Sequence, residues 1–234
     1  MNPQRAIPQS STFDQFSTLD FERGQILNLN KPVDWSSFDV VNRVRHLTGV
    51  KKVGHAGTLD PFATGVLLVC TGRATKQVSG LMDLEKEYKA EIEFGKATDT
   101  YDRTGTFLAE KSTSSLNLNQ IEAVCKTFEG EILQTPPMYS AVKIKGQRLY
   151  KMARRGETID RPARKVVIKR IELLKFENPR LWLNVTCSKG TYIRALAHDM
   201  GERLGCGAYL RSLVRTRIGN YSIENACAVV SGKE

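Results

Sequence analysis

Long apolar runs are the first thing this sequence lacks. None of its 234 residues falls in an 18-residue apolar stretch, so no segment reads as a membrane-spanning helix. Cysteine is scarce: Cys70, Cys125, Cys187, Cys206 and Cys227 form an odd, widely spaced set without a C-x-x-C pair. That pattern supports neither a disulfide framework nor a zinc site. Most of the five sit in apolar runs, where a free cysteine behaves as a small hydrophobe. The three histidines, His46, His55 and His198, are scattered and form no H-E-x-x-H, so hydrolytic zinc does not fit. A Walker A loop is missing, and Gly205-Cys206-Gly207 lacks the third glycine of a dinucleotide fingerprint. The G-x-S-x-G elbow of serine hydrolases is missing too. The N-terminus has no apolar core and carries Asp14, Asp20 and Glu22, so neither a signal nor a transit peptide fits. The sequons at Asn184 and Asn220 therefore have no secretory context, and a cytoplasmic protein is expected.

Acidic residues are in deficit as well. Asp and Glu number 25 against 35 Lys and Arg, a net charge of +10, which favours polyanionic partners, nucleic acid first. The excess is local. From Val142 to Arg170 there are 11 basic residues, Lys151, Arg154, Arg155 and Arg164 among them, opposed only by Glu157 and Asp160. A solvated helix face beside a lysine-protected strand edge would have this composition. The thin acidic relief favours a surface that follows phosphates.

Length and composition allow one large domain or two small ones with a real core. Residues 1–23, rich in Ser, Gln and Pro, read as a mobile arm, and 24–234 as the folded domain. Ile26–Leu29 reads as a short strand ending at Lys31-Pro32. Ser36 then caps a helix with Asp39 three residues on, apolar at Phe38, Val41, Val44 and Leu47 and stopped by Gly49. Val66–Cys70 is a strand covered on both faces. Thr75 is a candidate cap for a helix through Val78, Leu81 and Met82. Tyr88, Ala90, Ile92 and Phe94 alternate with polar residues in a half-buried strand that Tyr88 opens. Later come helices around Ile121–Phe128, Leu149–Ala153 and Thr191–Leu204, and strands over Val166–Phe176 and Leu181–Cys187. Strands outnumber helices and seldom alternate with them one for one. An α+β fold with a mixed, largely antiparallel sheet flanked by helices is expected.

The stretch that raises a chemical question is Gly54-His55-Ala56-Gly57-Thr58-Leu59-Asp60-Pro61. Proline pushes the residue before it towards extended backbone, so Asp60 is held on a loop, and Gly54 and Gly57 permit close approach of a ligand. An ordinary Asx turn before a buried strand fits the same residues. Arg194, in the first turn of an expected helix, is a cation placed against the helix dipole, which suggests that it is aimed at an anion. An Asp–Arg pair would keep a nucleophilic carboxylate ionised; it would equally be a structural ion pair.

The run GHAGTLDPFATGVLLVCTGRATK, with Leu29-Asn30-Lys31-Pro32 before it, resembles the tRNA pseudouridine-55 synthases of the TruB type. Lys86-Glu87-Tyr88, the segment Gly95–Asp102, Pro137–Ala141 and Cys187–Arg194 follow in the same order, and the match runs from about Gly24 to Arg217. The resemblance implies the pseudouridine synthase fold and a cofactor-free, metal-free isomerase that turns one T-loop uridine of tRNA into pseudouridine. It implies Asp60 as nucleophile, Arg194 as its ion-pair partner, and Tyr88 as stacking platform and acceptor of the C5 proton. His55 would fill the space left by the extruded base, and Tyr192 and Leu213 would line the pocket. A base stacked in a loop must be extruded for such chemistry, and a T loop is read by shape and phosphates, which the basic window supplies.

Many relatives continue into a small C-terminal RNA-binding PUA domain, and this sequence ends at Glu234, so that domain is expected to be absent. A monomer acting on the T stem-loop without an obligatory protein partner is the expectation. A guide-RNA-dependent synthase of the dyskerin type, or a non-catalytic RNA-binding or RNA-folding module on the same scaffold, are the alternatives.

Overall fold

The computed structural model describes residues 19–144 and 146–229. The chain divides into two compact units, Met1–Tyr88 with Leu213–Glu234, and Lys89–Ser212. In chain order the elements begin with β1 (Ile26–Lys31), α1 (Ser37–Thr48), β2 (Val53–His55), β3 (Thr64–Thr71), a 3-10 segment (Gly72–Gln77), α2 (Val78–Asp83) and β4 (Lys86–Phe94). Next are β5 (Lys96–Thr98), β6 (Phe107–Glu110), α3 (Leu118–Lys126), β7 (Gly130–Gln134), β8 (Lys143–Ile144), β9 (Gln147–Arg148) and α4 (Leu149–Ala153). The last are β10 (Arg164–Glu177), β11 (Arg180–Cys187), α5 (Ile193–Arg203), β12 (Ala208–Ile218), β13 (Tyr221–Ser222) and β14 (Cys227–Ala228).

The fold is α+β with a mixed, largely antiparallel sheet, as the strand pattern implied. The first unit carries the order β14-β1-β3-β12 and the second β4-β11-β10-β7. The β1–β3, β10–β11 and β7–β10 pairs are antiparallel, whereas β1–β14 and β3–β12 are parallel.

In the first unit β3 is buried on both faces. Leu67 and Val69 join Leu27 and Leu29 of β1 and Val40, Val41 and Val44 of α1, while Val66, Leu68 and Cys70 pack with Ala56, Leu81 and Ile218. Helix α1 starts in the expected capping box between Ser36 and Asp39 and stops at Gly49, whose backbone is left-handed. Its buried face departs from expectation: Phe38 is 56% exposed and Leu47 37%, whereas Ser37 and Val40 turn inward. The Arg45 guanidinium lies over the Phe38 ring at 5.5 Å, which explains how that ring tolerates the surface. Thr75 caps nothing; it lies inside the 3-10 segment, where its hydroxyl donates to the Gly72 carbonyl at 2.8 Å. Of the expected arm, residues 1–18 lie outside the described residues. Just after them, Phe21 packs on the core and its carbonyl accepts from the Thr71 hydroxyl at 2.8 Å.

In the second unit the alternating residues of β11, Leu181, Leu183, Val185 and Cys187, are all buried. Helix α3 opens in a second capping box, Asn117 with Gln120, and buries Ile121 and Cys125. The Arg203 guanidinium of α5 covers the Phe128 ring at 4.3 Å. All five cysteines are buried thiols, as their apolar surroundings implied.

Gly65 tests the packing of β3. It pairs with Arg215 of β12, its φ is +103°, and a Cβ there would stand 2.2 Å from the Arg215 carbonyl oxygen. Gly205 also has positive φ, +73°, but open space around it. In urea unfolding, Gly65→Ala is expected to lose at least ~3 kcal/mol, since strain and clash add, and Gly205→Ala only about 1 kcal/mol. Equal losses would mean that the β3–β12 approach is not tight.

Candidate active site

The loop after β2 carries Asp60, and its backbone is held at nearly every step. His55 pairs with Val69 of β3, and the Ala56 N–H donates to the Leu68 carbonyl at 2.8 Å. Arg215, 1% exposed, then reaches under the loop. Its Nε donates to the Val66 carbonyl at 2.7 Å, its Nη2 to Gly57 at 3.1 Å and its Nη1 to Thr58 at 3.4 Å. The inward Ser37 of α1 serves the next peptide: its hydroxyl accepts from the Leu59 N–H at 2.8 Å and donates to the Leu59 carbonyl at 3.1 Å. Beyond Asp60, the Pro61 carbonyl accepts from the Asp34 N–H at 2.9 Å and from Lys31 Nζ at 3.1 Å. Lys31 is wholly buried and donates also to the carbonyls of Pro32 at 2.8 Å and Trp35 at 2.5 Å. Asp60 itself is half-buried, and its carbonyl closes a turn by accepting from the Ala63 N–H at 3.1 Å.

The electrostatics follow from that burial. Desolvation pushes the Lys31 ammonium down to about 8, against a raising pull from the Asp60 carboxylate. It stays mainly charged at neutral pH. Burial, and then the Arg215 charge, lower the pKa of His55, so its imidazole is neutral at pH 7. Tyr88 is the third residue of β4 rather than its first, and is 8% exposed. Lys86, on the same face, is buried with its ammonium on the Met82 and Leu84 carbonyls. Between them Glu87 is bonded to Arg217, which lowers its pKa. Leu213 of β12 is buried.

In the second unit Arg194 is the second residue of α5 and 3% exposed. Its Nη1 donates to the Thr100 carbonyl at 2.9 Å and lies 3.2 Å from the Asp102 carboxylate; its Nη2 donates to the Tyr139 carbonyl at 2.7 Å. Asp102 accepts in addition from the Thr100 hydroxyl at 2.9 Å and from the Thr104 N–H and hydroxyl at 2.9 and 2.5 Å. Tyr192 precedes the helix. The buried Gln134 amide clamps its backbone, accepting from the Tyr192 N–H at 2.8 Å and donating to its carbonyl at 3.0 Å.

Of the basic window, Lys151 and Arg154 lie on or just after α4, Arg155 follows, and Arg164 starts β10; all four are exposed. They are not equivalent. Arg155 is held by Glu157 at 2.7 Å and by Gln147 at 2.8 Å, whereas Arg154 lies over the Tyr150 ring at 5.6 Å.

Five residues of these arrangements carried no expected role: Lys31, Ser37, Asp102, Gln134 and Arg215. A signal existed for Lys31, because alternation from Leu27 through Leu29 puts it on the buried face of β1. Arg215 shares a face with Leu213 in the same way, but only once β12 is known to be a strand. Nothing local marks Ser37, Asp102 or Gln134.

Ser37 and its neighbour make a discriminating pair. Ser37→Ala leaves the Leu59 N–H and carbonyl without their partner in a buried place, and a loss of roughly 1–3 kcal/mol is expected with faster hydrogen exchange at Leu59. Ser36→Ala removes a helix cap, costing about 1 kcal/mol, and should leave exchange at Leu59 unchanged. Identical exchange at Leu59 in both variants would mean that Ser37 does not hold the loop.

Comparison with known proteins places these arrangements. Residues 45–193 match the model of the TruB family pseudouridylate synthase N-terminal domain, and residues 194–231 match the tRNA pseudouridylate synthase B C-terminal domain. The chain is 49% identical over 201 residues to a tRNA pseudouridine synthase B of Clostridium tetani, covering 86% of this chain and 70% of that one. It is 46% identical over 212 residues to a tRNA pseudouridine synthase B of Parabacteroides distasonis, covering 88% and 90%. Among solved structures, a chain of a Cbf5–Nop10–Gar1 complex is 32% identical with a TM-score of 0.67, over 94% of this chain and 55% of that one. With a family model spanning most of its length and relatives matched nearly end to end, this chain belongs to the TruB family of pseudouridylate synthases.

Proposed function

We propose that this protein isomerises a uridine of the tRNA T loop to pseudouridine, with Asp60 as the nucleophile. The observation that carries this reading is the pinned loop. Both residues flanking Asp60 are bonded to buried groups, Leu59 to Ser37 and Pro61 to Lys31, so the carboxylate sits on a backbone that cannot drift. A nucleophile gains from such fixed placement because orientation is settled before the substrate arrives. An Asx turn alone would have no use for two buried cations beneath it.

In this reading the target uridine is extruded from its loop, and His55, neutral and half-buried, fills the space it leaves. Tyr88 offers its ring to the uracil, with Leu213 and Tyr192 as further walls. The Asp60 carboxylate bonds to C1′ of the ribose or to C6 of the base, and the N1–C1′ bond breaks. The base turns, C5 bonds to C1′, and the Asp60 ester or adduct is released as carboxylate. The C5 proton passes to the Tyr88 oxygen as the proton of that hydroxyl leaves to solvent, and N1 takes up one proton from solvent, so no cofactor or co-reactant enters the balance. Arg194 supplies the guanidinium that keeps the nucleophile ionised. Lys151, Arg154, Arg155 and Arg164 contact the RNA backbone. The higher identity to proteins named tRNA pseudouridine synthase B than to the Cbf5 complex chain favours a tRNA enzyme over a guide-RNA-dependent one.

Three measurements test the assignment. Asp60→Asn is nearly isosteric and is expected to abolish turnover while T stem-loop RNA still binds; substantial residual isomerisation would return Asp60 to a structural role. Tyr88→Phe keeps the stacking ring and is expected to lower the single-turnover rate by roughly 10²–10⁴ with affinity retained, and Tyr192→Phe to be milder. The reverse order would move the proton acceptor to Tyr192. Replacing Lys151, Arg154 and Arg164 together should flatten the salt dependence of RNA binding by roughly 0.7–0.9 in log–log slope per lost phosphate contact. Arg155, held by Glu157, should add least, and an unchanged slope would make the window a solvated surface.

A further inference from the structure

We infer that the stack of Tyr101 on His198 positions Arg194, making His198 and Tyr101 positioning residues for the reaction. The inference rests on the reading of Arg194 as part of the catalytic machinery. All of its geometry lies within the second unit.

The loop from Asp99 to Gly105 supplies two of the groups that face Arg194, the Thr100 carbonyl and the Asp102 carboxylate. Tyr101 stands between them with φ +64°, a left-handed backbone that a bulky aromatic residue rarely adopts. That angle orients the Thr100–Tyr101 peptide plane, and so sets the direction of the carbonyl that Arg194 uses. On one side the loop is tied to β12: the Leu210 N–H donates to the Tyr101 carbonyl at 3.0 Å, and the Arg103 N–H to the Leu210 carbonyl at 3.0 Å. On the other side it meets α5 through two residues one helical turn apart, Arg194 and His198. The rings of Tyr101 and His198 lie 3.9 Å apart and within 7° of parallel.

Backbone bonds to Leu210 fix the far edge of the loop, but they do not press it against α5. Aromatic stacking does so without competing for the donors of Arg194. His198 is suited to this because no hydrogen bond among the described residues holds its ring through the buried Nδ1. Burial lowers its pKa, with Arg161 adding to this and Glu202 opposing, so the stacked ring is neutral at pH 7. A left-handed tyrosine is unfavourable by itself, and glycine would serve the backbone better. The aromatic side chain at this position is explained by the ring that it stacks on.

The test measures single-turnover pseudouridine formation and RNA affinity on a T stem-loop, with thermal melting in parallel. His198→Ala is expected to slow the chemical step roughly tenfold, since small misplacement of a catalytic group is costly, while affinity stays within about twofold. His198→Phe, which can still stack, should restore most of the rate. Tyr101→Gly relieves the backbone but removes the ring, and should be as slow as His198→Ala. Added to Arg194→Lys, His198→Ala should cause no further loss, because both act through one guanidinium. Loss of melting temperature with an unchanged rate, failure of His198→Phe to rescue, or full additivity in the double variant would each overturn the inference. A fully active Arg194→Lys would overturn the reading of Arg194 and this inference with it. A dead Arg194→Lys beside a normal His198→Ala would overturn the inference alone.

Discussion

Two cations buried beneath one loop govern the surroundings of Asp60. Lys31 and Arg215 are out of solvent, and an unpartnered charge there would cost several kcal/mol. Among the described residues neither is hydrogen-bonded to a carboxylate; both are matched by backbone carbonyls, from Gly57, Thr58, Val66, Pro61, Pro32 and Trp35. The dependence runs both ways. The cations need these carbonyls to be buried at all, and the carbonyls cannot turn to water without stranding a charge. A loop in that position is rigid although it has no ladder of its own. Burial pushes the Lys31 ammonium down to about 8 while the Asp60 carboxylate pulls it back up.

The second unit solves the same problem around Arg194 with a different mixture. The Thr100 and Tyr139 carbonyls and the Asp102 carboxylate are among the groups that meet its donors, and Asp102 is in turn supplied by Thr100 and Thr104. A guanidinium suits such a site because its donors are fixed in a planar fork, where an ammonium would have to choose. Gln134 does comparable work two residues before Arg194, holding both backbone groups of Tyr192 where α5 has no side-chain cap of its own. Buried polar groups here are thus satisfied mostly by backbone, so each ties a loop as well as a side chain.

At the surface the ionic contacts carry less. The Lys165–Glu131 and Arg155–Glu157 pairs are both well exposed, and pairs of that kind contribute little to stability. Their effect is on availability. A paired Arg155 presents less free charge to a polyanion than Lys151 or Arg154, a distinction invisible when the eleven basic residues of the window are simply counted.

Much of this protein was legible in its sequence where the cause is local. The capping box at Ser36 and Asp39, the left-handed stop at Gly49, the doubly covered β3 and the alternation of β4 and β11 all follow from neighbours a few residues apart. The ordered motifs around Asp60, Tyr88 and Arg194 were enough to indicate the family. What local pattern could not settle was which face of α1 turns inward, since that depends on Ser37 meeting Leu59 across 22 residues. Nor could it indicate β12, whose apolar positions are interrupted by arginines that prove to be buried or paired. The partners of Arg215, Arg194 and Gln134 that the structure shows lie 55 to 158 residues away in sequence. Sequence by itself therefore determined the elements that carry a local pattern, the family and the candidate groups. Tertiary structure alone decided which carbonyls the buried cations hold, because a buried charge is satisfied by whatever the folded chain brings within hydrogen-bond reach.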